Sequence, residues 1–260
     1  MSLTKQRVIG VIPARFASTR FPGKVLARWK GRTILEHVYR RAASVAELDD
    51  LWIAVDDDRV FDEACSIGAQ VCRTSPAHAS GTDRVGEVVE GCRPLPDAVL
   101  NIQADEPLVD PASLSLLASA LRETPVEMVT LAHPMKDVEE WRNPSVVKVV
   151  LDAEGNALYF SRAPIPYDRA GWNETVAVYR HVGLYGFRRE ALRSFVQAQP
   201  SPLERAEGLE QLRALEMGWK IRVLIGSWKS IAVDTPEDLA ALDRHGSQHG
   251  RGGGSGSIDA

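Results

Sequence analysis

The sequence predicts an α/β protein with a doubly wound, mostly parallel sheet and an antiparallel excursion in its second half. Short apolar, β-branched runs alternate with amphipathic stretches through the first half of the chain. Hydrophobic residues make up 44% of the 260 residues and charged residues 25%, which excludes a disordered or low-complexity chain. We expect one domain over residues 1–245, with an antiparallel lobe at about 135–215.

The first strand is predicted at residues 7–13, where RVIGVIP is apolar throughout and suits a strand buried on both faces. Further strands are predicted at 51–55, 70–72 and 98–102. Amphipathic periodicity predicts helices at 33–45, 59–67, 82–89 and 112–121. Asp110 and Pro111 are a typical N-cap and first-turn pair for the last of these.

In the second half, residues 146–162 predict two strands about a turn at 153–156. A strand at 178–188, a helix at 204–217, a strand at 220–225 and a helix at 235–242 follow. Residues 246–260 have the Gly and Ser content of a flexible linker, and we leave this segment out of the fold and the function.

Composition also narrows the classes of function. The net charge of −4 argues against binding to nucleic acid through a basic face. The apolar stretch that Pro13 closes is too short for a signal-peptide core or a spanning helix, so we expect no membrane partner and a cytoplasmic location. The three cysteines show no C-x-x-C spacing and are expected to be reduced thiols.

Charge is distributed unevenly, since eight cations precede the first acid, Glu36. Three of them, Arg15, Arg20 and Lys24, lie in the loop IPARFASTRFPGK that follows the first predicted strand. Loops at the carboxyl edge of a parallel sheet bind ligands, and the small residues here allow backbone amides to approach a phosphate. We therefore expect this loop to bind a triphosphate. It lacks the glycines of the Walker and dinucleotide motifs, and a solvated basic loop is the alternative.

Carboxylates follow two predicted strands. Asp105 lies in QADEP after the strand at 98–102, where a carboxylate is well placed to hold Mg²⁺, although Asp105 or Glu106 could instead cap a turn. The cluster Asp56, Asp57 and Asp58 could imitate a ribose-binding acid. Without a glycine fingerprint we interpret it as a helix N-terminus.

Two further motifs combine a helix start with polar residues of possible function. In SGTDR, residues 80–84, Ser80 or Thr82 can serve as an N-cap. In VDTPEDL, Thr235 can cap the last helix, which leaves Asp234 without a structural explanation.

These motifs together resemble the 3-deoxy-manno-octulosonate (Kdo) cytidylyltransferases of the sugar nucleotidyltransferase superfamily. The resemblance begins with IPAR-x-x-STR-x-PGK and continues in order through nearly the whole chain. The further matching segments are HASGTDR (78–84), NIQADEP (101–107), NPSVVKVVLDAEGNALYFSRAPIPYDR (143–169), RHVGLYGFRR (180–189), SPLERAEGLEQLRALEMGWKI (201–221) and VDTPEDL (233–239).

The resemblance implies a nucleotide-diphospho-sugar transferase fold and a Mg²⁺-dependent enzyme. This enzyme would convert CTP and Kdo to CMP-Kdo and pyrophosphate for lipopolysaccharide biosynthesis, and it would form a homodimer through the antiparallel lobe. The implied catalytic residues are Arg15, Lys24, Asp105 and Asp234, of which Asp105 and Asp234 hold the metal. The implied nucleotide-binding residues are Arg15, Ser18, Arg20, Lys24, Ser80, Gly81, Thr82, Arg84 and Gln103. The implied sugar-binding residues are Arg162, Arg169, His181, Tyr185, Glu210 and Gln211.

The chain departs from the family pattern at Ala104, where the family usually has Gly. A methyl group there would clash if the backbone needed a positive φ. The alternative substrates are 8-amino-Kdo or another sugar acid such as a sialic acid. The alternative class is a nucleotide-binding module without catalysis, which retention of both Asp105 and Asp234 disfavours.

Overall fold

The computed structural model describes residues 6–18, 20–169, 172, 177–228 and 231–247, with side chains as far as Leu242. The strands are β1 (Val8–Ala14), β2 (Arg28–Trp29), β3 (Arg32–Thr33), β4 (Asp50–Val55), β5 (Gln70–Arg73), β6 (Ala98–Asn101), β7 (Met128–Met135), β8 (Lys148–Leu151), β9 (Ala157–Ser161), β10 (Val178–Arg188) and β11 (Ile221–Ile225). The helices are α1 (Ile34–Ala42), α2 (Asp58–Ser66), α3 (Gly81–Gly91), α4 (Pro111–Glu123), α5 (Val138–Arg142), α6 (Arg189–Gln197), α7 (Pro202–Glu207), α8 (Gln211–Glu216) and α9 (Pro236–Ser247).

The main sheet has the strand order β11-β7-β10-β6-β1-β4-β5, and β10 is the antiparallel member of this path. Strands β8 and β9 extend from β10 as an antiparallel arm. The predicted fold class is therefore confirmed, including the antiparallel excursion. The chain builds β1, β4 and β5 outward and then returns to place β6 on the other side of β1. This reversal creates a crevice at the carboxyl ends of β1 and β6, where open α/β sheets bind ligands.

Helices cover both faces of the sheet, which explains why β1 is apolar at every position. Ile9 and Val11 face a core shared with α3 and α6, whereas Val8 and Ile12 face a core shared with α1, α2 and α4. Side chains of a strand alternate between its two faces, so a strand covered on both sides carries no polar position. All seven residues of β1 are buried.

The predicted helix starts are confirmed. The side chains of Asp57, Ser80 and Asp110 accept hydrogen bonds from backbone amides in the first turns of α2, α3 and α4. Thr235 accepts from the amide of Asp238, whose carboxylate accepts in turn from the Thr235 amide. These caps fix where each helix begins beside the crevice.

Four features of the second half differ from the prediction. The helix expected at 204–217 is two short helices, α7 and α8, because Gly208 ends the first of them in the left-handed region with a φ of 63°. The strand β7 and the helices α5 and α6 were not predicted. Helix α6 begins after Arg188, which makes no side-chain cap, so the usual start signal is missing.

The last helix ends at Ser247, and residues 248–260 of the predicted linker lie outside the described residues. Cys65, Cys72 and Cys92 are free thiols. Within the part of the chain that the structure describes, every helix is too short or too polar to cross a bilayer.

Candidate active site

The loop after β1 and the segment after β6 face each other across the crevice, and a third segment joins them from the end of the chain. The amide of Val233 donates to the carbonyl of Asp105 at 2.8 Å, which aligns the segment before α9 with the segment after β6. Asp234 and Asp105 are thereby held side by side, although 129 positions separate them in the sequence.

Lys24 lies between these two carboxylates. Its Nζ is 2.5 Å from Oδ2 of Asp105 and 2.8 Å from Oδ1 of Asp234. Arg20 contacts the other oxygen of Asp234, with Nη2 2.8 Å from Oδ2. The predicted convergence of these four residues is therefore present in the fold. In this arrangement, two of the predicted phosphate-binding cations neutralise the two predicted metal ligands.

The contacts in this cluster favour the charged forms of Lys24 and Asp234. Burial lowers the pKa of Lys24, but the charges and hydrogen bonds of Asp105 and Asp234 outweigh burial and raise this pKa above its usual value. Burial raises the pKa of Asp234, and the hydrogen bonds and charges of Lys24 and Arg20 reverse this effect and lower it. Lys24 and Asp234 therefore stabilise each other's charge.

The other predicted residues of the basic loop lie at its outer side. Arg15 is exposed and Ser18 is half-buried. The Arg15 side chain makes no hydrogen bond to any residue that the structure describes. It is therefore free to meet an anionic ligand above the crevice.

A cavity of about 360 Å³ opens beside the carboxylate pair. It lies between the carboxyl end of β6, the start of α3, the middle of β10 and the loop before α8. Seven predicted residues line it: Gly81, Thr82, Gln103, His181, Tyr185, Glu210 and Gln211.

His181 lies in the wall of this cavity as a neutral ring. The hydroxyl of Thr130 has one proton, which it donates to the carbonyl of Leu184 at 2.8 Å. Nε2 of His181, 3.0 Å from the same oxygen, must therefore carry the proton of the His181–Thr130 hydrogen bond. Burial lowers the pKa of His181 to about 3, so the ring stays uncharged at neutral pH.

The floor of the cavity holds a polar network with two unsatisfied atoms. Thr82 donates to Glu210 and accepts from Nδ2 of Asn101 at 3.0 Å, and Tyr185 donates to Oε1 of Gln211 at 2.9 Å. This leaves Oδ1 of Asn101 and Nε2 of Gln211 buried without a hydrogen-bond partner. Buried polar atoms are almost always paired, so these two atoms mark an incompletely satisfied polar network behind the cavity wall.

The position of Arg84 differs from the prediction. It was expected to contact the nucleotide, but its side chain is fully buried, donates to Thr74 and pairs with Asp56 at 2.7 Å. Its guanidinium is therefore committed to the interior beneath the basic loop.

The two arginines expected to bind the sugar acid do not line the cavity. Arg162 donates from Nε to the carbonyl of Glu207 and from Nη1 to that of Pro144. Arg169 is exposed elsewhere on the lobe. Ser80 caps α3 next to the cavity without lining it.

The structure also brings residues to the cavity that sequence reasoning missed. Arg180 lines it and pairs with Glu140 at 3.1 Å, and Asn101 and Ser145 line it as well. Arg180 immediately precedes His181 in a motif already singled out, so its position was the available signal. Ala104 is buried, and Lys30 is the one non-glycine residue with a positive φ in the described ranges. The expected backbone conflict at Ala104 is therefore absent.

The donor set fits a divalent magnesium ion. Mg²⁺ is bound through one or two carboxylates and completes its coordination with water and phosphate oxygens. Among the described residues no three His, Cys, Asp or Glu side chains form a metal-binding group. Asp105 and Asp234 are two carboxylates that converge on one cationic group. The ammonium group of Lys24 lies between the two carboxylates, so this position accommodates a positive charge.

A doubly wound sheet with a basic loop and paired carboxylates at its switch point defines a nucleotidyltransferase. A family model described as "Cytidylyltransferase" matches residues 9–221. The chain belongs to the cytidylyltransferase family, within the group of 3-deoxy-manno-octulosonate cytidylyltransferases.

Three similar proteins support this assignment. The chain is 49% identical over 240 residues to the 3-deoxy-manno-octulosonate cytidylyltransferase of Solibacter usitatus, covering 92% of this chain and 94% of that protein. It is 48% identical over 237 residues to the same enzyme of Myxococcus xanthus, covering 91% and 95%. A solved structure of CMP:2-keto-3-deoxy-manno-octonic acid synthetase complexed with CTP superposes with a TM-score of 0.88 at 38% identity, covering 94% of this chain and 99% of that one.

Proposed function

We propose that the protein transfers the cytidylyl group of CTP to Kdo, giving CMP-Kdo and pyrophosphate for lipopolysaccharide synthesis. The observation that carries the proposal is that Asp105 and Asp234 both contact Lys24, a cation of the basic loop. The CTP complex of a relative with the same fold and the names of the curated relatives support the choice of nucleotide and sugar acid.

Asp105 and Asp234 would hold Mg²⁺, which supplies charge neutralisation and polarisation of the phosphate groups when it is bound. Lys24 and Arg20 would then leave the carboxylates and bind the triphosphate together with Arg15. Their positive charges stabilise the pyrophosphate as the bond to the α-phosphorus breaks. All three cations belong to one loop, so a single segment would bring them to the phosphates.

The cavity beside the carboxylates would take the sugar acid. Asn101 offers an unpaired acceptor and Gln211 an unpaired donor, and both are buried and fixed by neighbours. The hydroxyl groups of a bound sugar would lie against the residues of this network. Arg180 is the cation of the lining and would meet the carboxylate of the sugar. These contacts would orient the anomeric hydroxyl toward the α-phosphate.

The proposal is tested by pyrophosphate release from the purified protein with Mg²⁺, CTP and Kdo. Parallel arms replace CTP by UTP or ATP, and Kdo by 8-amino-Kdo or a sialic acid. Asp105→Asn should reduce turnover at least about 100-fold, as expected when a charge that acts in the transition state is removed. Asp62→Asn makes the same chemical change at an exposed position of α2 and should retain wild-type turnover.

The arms distinguish the candidate activities. Faster turnover of 8-amino-Kdo would assign the amino sugar as the substrate. CTP binding without turnover of any sugar acid would favour a binding module and contradict the proposal.

We further propose that the protein is a cytoplasmic homodimer that associates through the antiparallel lobe. A second cavity of about 240 Å³ on this lobe is lined by Trp141, Trp172 and Tyr179. The side chain of Tyr167 nearby is 85% exposed. Exposed aromatic groups of this kind are typical of protein interfaces. Sedimentation equilibrium should give twice the monomer mass and a weaker association for Trp141→Arg, and a monomeric wild type would contradict the proposal.

A further inference from the structure

The basic loop contains an aromatic side chain, Phe16, directly after Arg15, and the whole loop is closed on it. The amide of Gly23 donates to the carbonyl of Phe16 at 2.9 Å. Gly23 has a φ of 72°, and a Cβ atom at this position would lie only 2.9 Å from Cε2 of Phe16. Phe16 therefore fixes both ends of the segment that carries Ser18 and Arg20.

The outer face of the Phe16 ring is covered by Arg59 from the first turn of α2. The guanidinium carbon of Arg59 lies 3.4 Å from the centre of the ring, which is a close cation–π contact. Asp57 holds this guanidinium through two hydrogen bonds, 2.9 Å from Nε and 2.7 Å from Nη2. The hydrogen bonds from Arg59 lower the pKa of Asp57 to about 2, so the pair stays charged at neutral pH.

The backbone of Phe16 is also held from below. Its amide donates to Oδ1 of Asp56 at 3.5 Å, and Oδ2 of Asp56 pairs with the buried guanidinium of Arg84 at 2.7 Å. The two acids that follow β4 thus act on the same residue, Asp56 on its backbone and Asp57 on its ring through Arg59. This gives a role to Asp56 and Asp57, two of the three acids at 56–58.

We propose that Phe16 and Arg59 are positioning residues for triphosphate binding. The stacked pair holds the loop backbone so that Arg15, which has no side-chain hydrogen bond of its own in the described part of the chain, faces the crevice. Neither Phe16 nor Arg59 has a side chain in the cavity or in the carboxylate cluster. The inference rests on the proposed function, because it assigns the triphosphate as the ligand that the loop meets.

The test compares Arg59→Met with a control that the chain itself offers. Arg73 also stacks on an aromatic ring of α2, with its guanidinium carbon 3.9 Å from the centre of Phe61, and also pairs with an acid, Asp58. In the described part of the chain, the Arg73 side chain makes its ion pair and its ring contact outside the basic loop. Arg73→Met therefore removes a chemically similar contact and should leave CTP binding unchanged.

Calorimetric titration with CTP and Mg²⁺ should give a Kd that is two- to fivefold higher for Arg59→Met and about tenfold higher for Phe16→Ala. The KM for Kdo should change less than twofold in both variants, and Arg59→Lys and Phe16→Tyr should restore most of the CTP affinity. A merely structural role would lower the melting temperature and weaken both substrates together. An unchanged CTP affinity in Arg59→Met, or an equal loss in Arg73→Met, would overturn the proposal.

Amide hydrogen exchange provides a readout that does not depend on the reaction. Without any ligand, Arg59→Met should accelerate exchange at the Gly23 amide, and Arg73→Met should not. Equal exchange in the two variants would refute the positioning role even if CTP and Kdo are turned over. Faster exchange in Arg59→Met, with no turnover of any sugar acid by the wild type, would support the positioning role and contradict the proposed function.

Discussion

Replacing Lys24 with methionine should increase the affinity of the free protein for a divalent metal ion. The ammonium group of Lys24 lies between the carboxylates that we assign to the metal, at 2.5 Å from Asp105 and 2.8 Å from Asp234. A metal ion must displace this group before it can bind both acids. The Lys24→Met variant keeps an unbranched side chain one atom shorter and removes the competing charge.

The size of the effect follows from these two contacts. A hydrogen bond between charged groups contributes about 1.5–3 kcal/mol net. Both carboxylates are partly exposed, with 23% of the Asp105 side chain and 36% of the Asp234 side chain accessible, so solvent screening reduces this value. We take about 1.5–3 kcal/mol for the two contacts together, which corresponds to a metal Kd lowered about 10- to 100-fold.

The assay is titration with Mn²⁺ monitored by electron paramagnetic resonance, without nucleotide and then with saturating CTP. Wild-type protein should bind Mn²⁺ weakly alone and much more tightly with CTP, because the triphosphate draws Lys24 and Arg20 away from the carboxylates. The variant should bind Mn²⁺ more tightly alone and gain less from CTP. Lys220→Met removes an exposed lysine that pairs with Glu154 and should behave as wild type.

Two results would refute this reasoning. One is a Lys24→Met protein that binds Mn²⁺ no better than Lys220→Met in the absence of nucleotide. The other is a gain in affinity that persists after Asp105→Asn is added, since the ion would then lie outside the proposed carboxylate pair.

Three further predictions concern the cavity and its support. Because the buried His181 has its pKa lowered to about 3 and the unfolded chain has it near 6.5, the unfolded state binds a proton that the native state excludes below pH 6.5. The free energy of unfolding should therefore fall by about 1 kcal/mol between pH 7.5 and pH 5.5 in urea titrations. His181→Asn should remove this component, and an unchanged slope in the variant would argue against a neutral buried ring. Lys148 is fully buried and donates to the carbonyls of Asn143, Val146 and Arg162. Lys148→Met should therefore lower the free energy of unfolding by about 2–4 kcal/mol in the same titrations. A decrease below about 1 kcal/mol would mean that these carbonyls find other partners. Tyr185→Phe removes the hydrogen bond that orients Gln211 and should raise the KM for Kdo about three- to tenfold with the KM for CTP unchanged; equal changes in both constants would contradict a role in the sugar subsite.

Local patterns predicted most of the first half of the fold because each element carries its own signal. The apolar run of β1, the cap at Asp110 and the capping pair at Thr235 all act within a few residues of their position. Where such signals were absent the prediction failed. Helix α6 begins without a capping side chain, and the predicted helix at 204–217 contains Gly208, whose left-handed conformation interrupts it.

The sequence indicated which residues have the chemistry of the site, but it did not indicate which of their side chains contact each other. Asp105 and Asp234 converge because a backbone hydrogen bond from Val233 aligns two distant segments, and no local pattern contains this information. Arg84 shares a motif with cavity residues, yet its guanidinium turns inward to Asp56. The partner of a long charged side chain depends on tertiary packing. The motif alone therefore did not show whether Arg84 contacts a ligand or forms an internal ion pair.

The central claim is that Asp105 and Asp234 hold one divalent ion against the triphosphate. A crystal structure with CTP and Mn²⁺, analysed by the anomalous scattering of manganese, tests it most directly. We predict an anomalous peak about 2.1 Å from a carboxylate oxygen of each residue, with Lys24 moved onto a phosphate. An ion bound without one of the two carboxylates, or Lys24 still between them in the complex, would contradict the account.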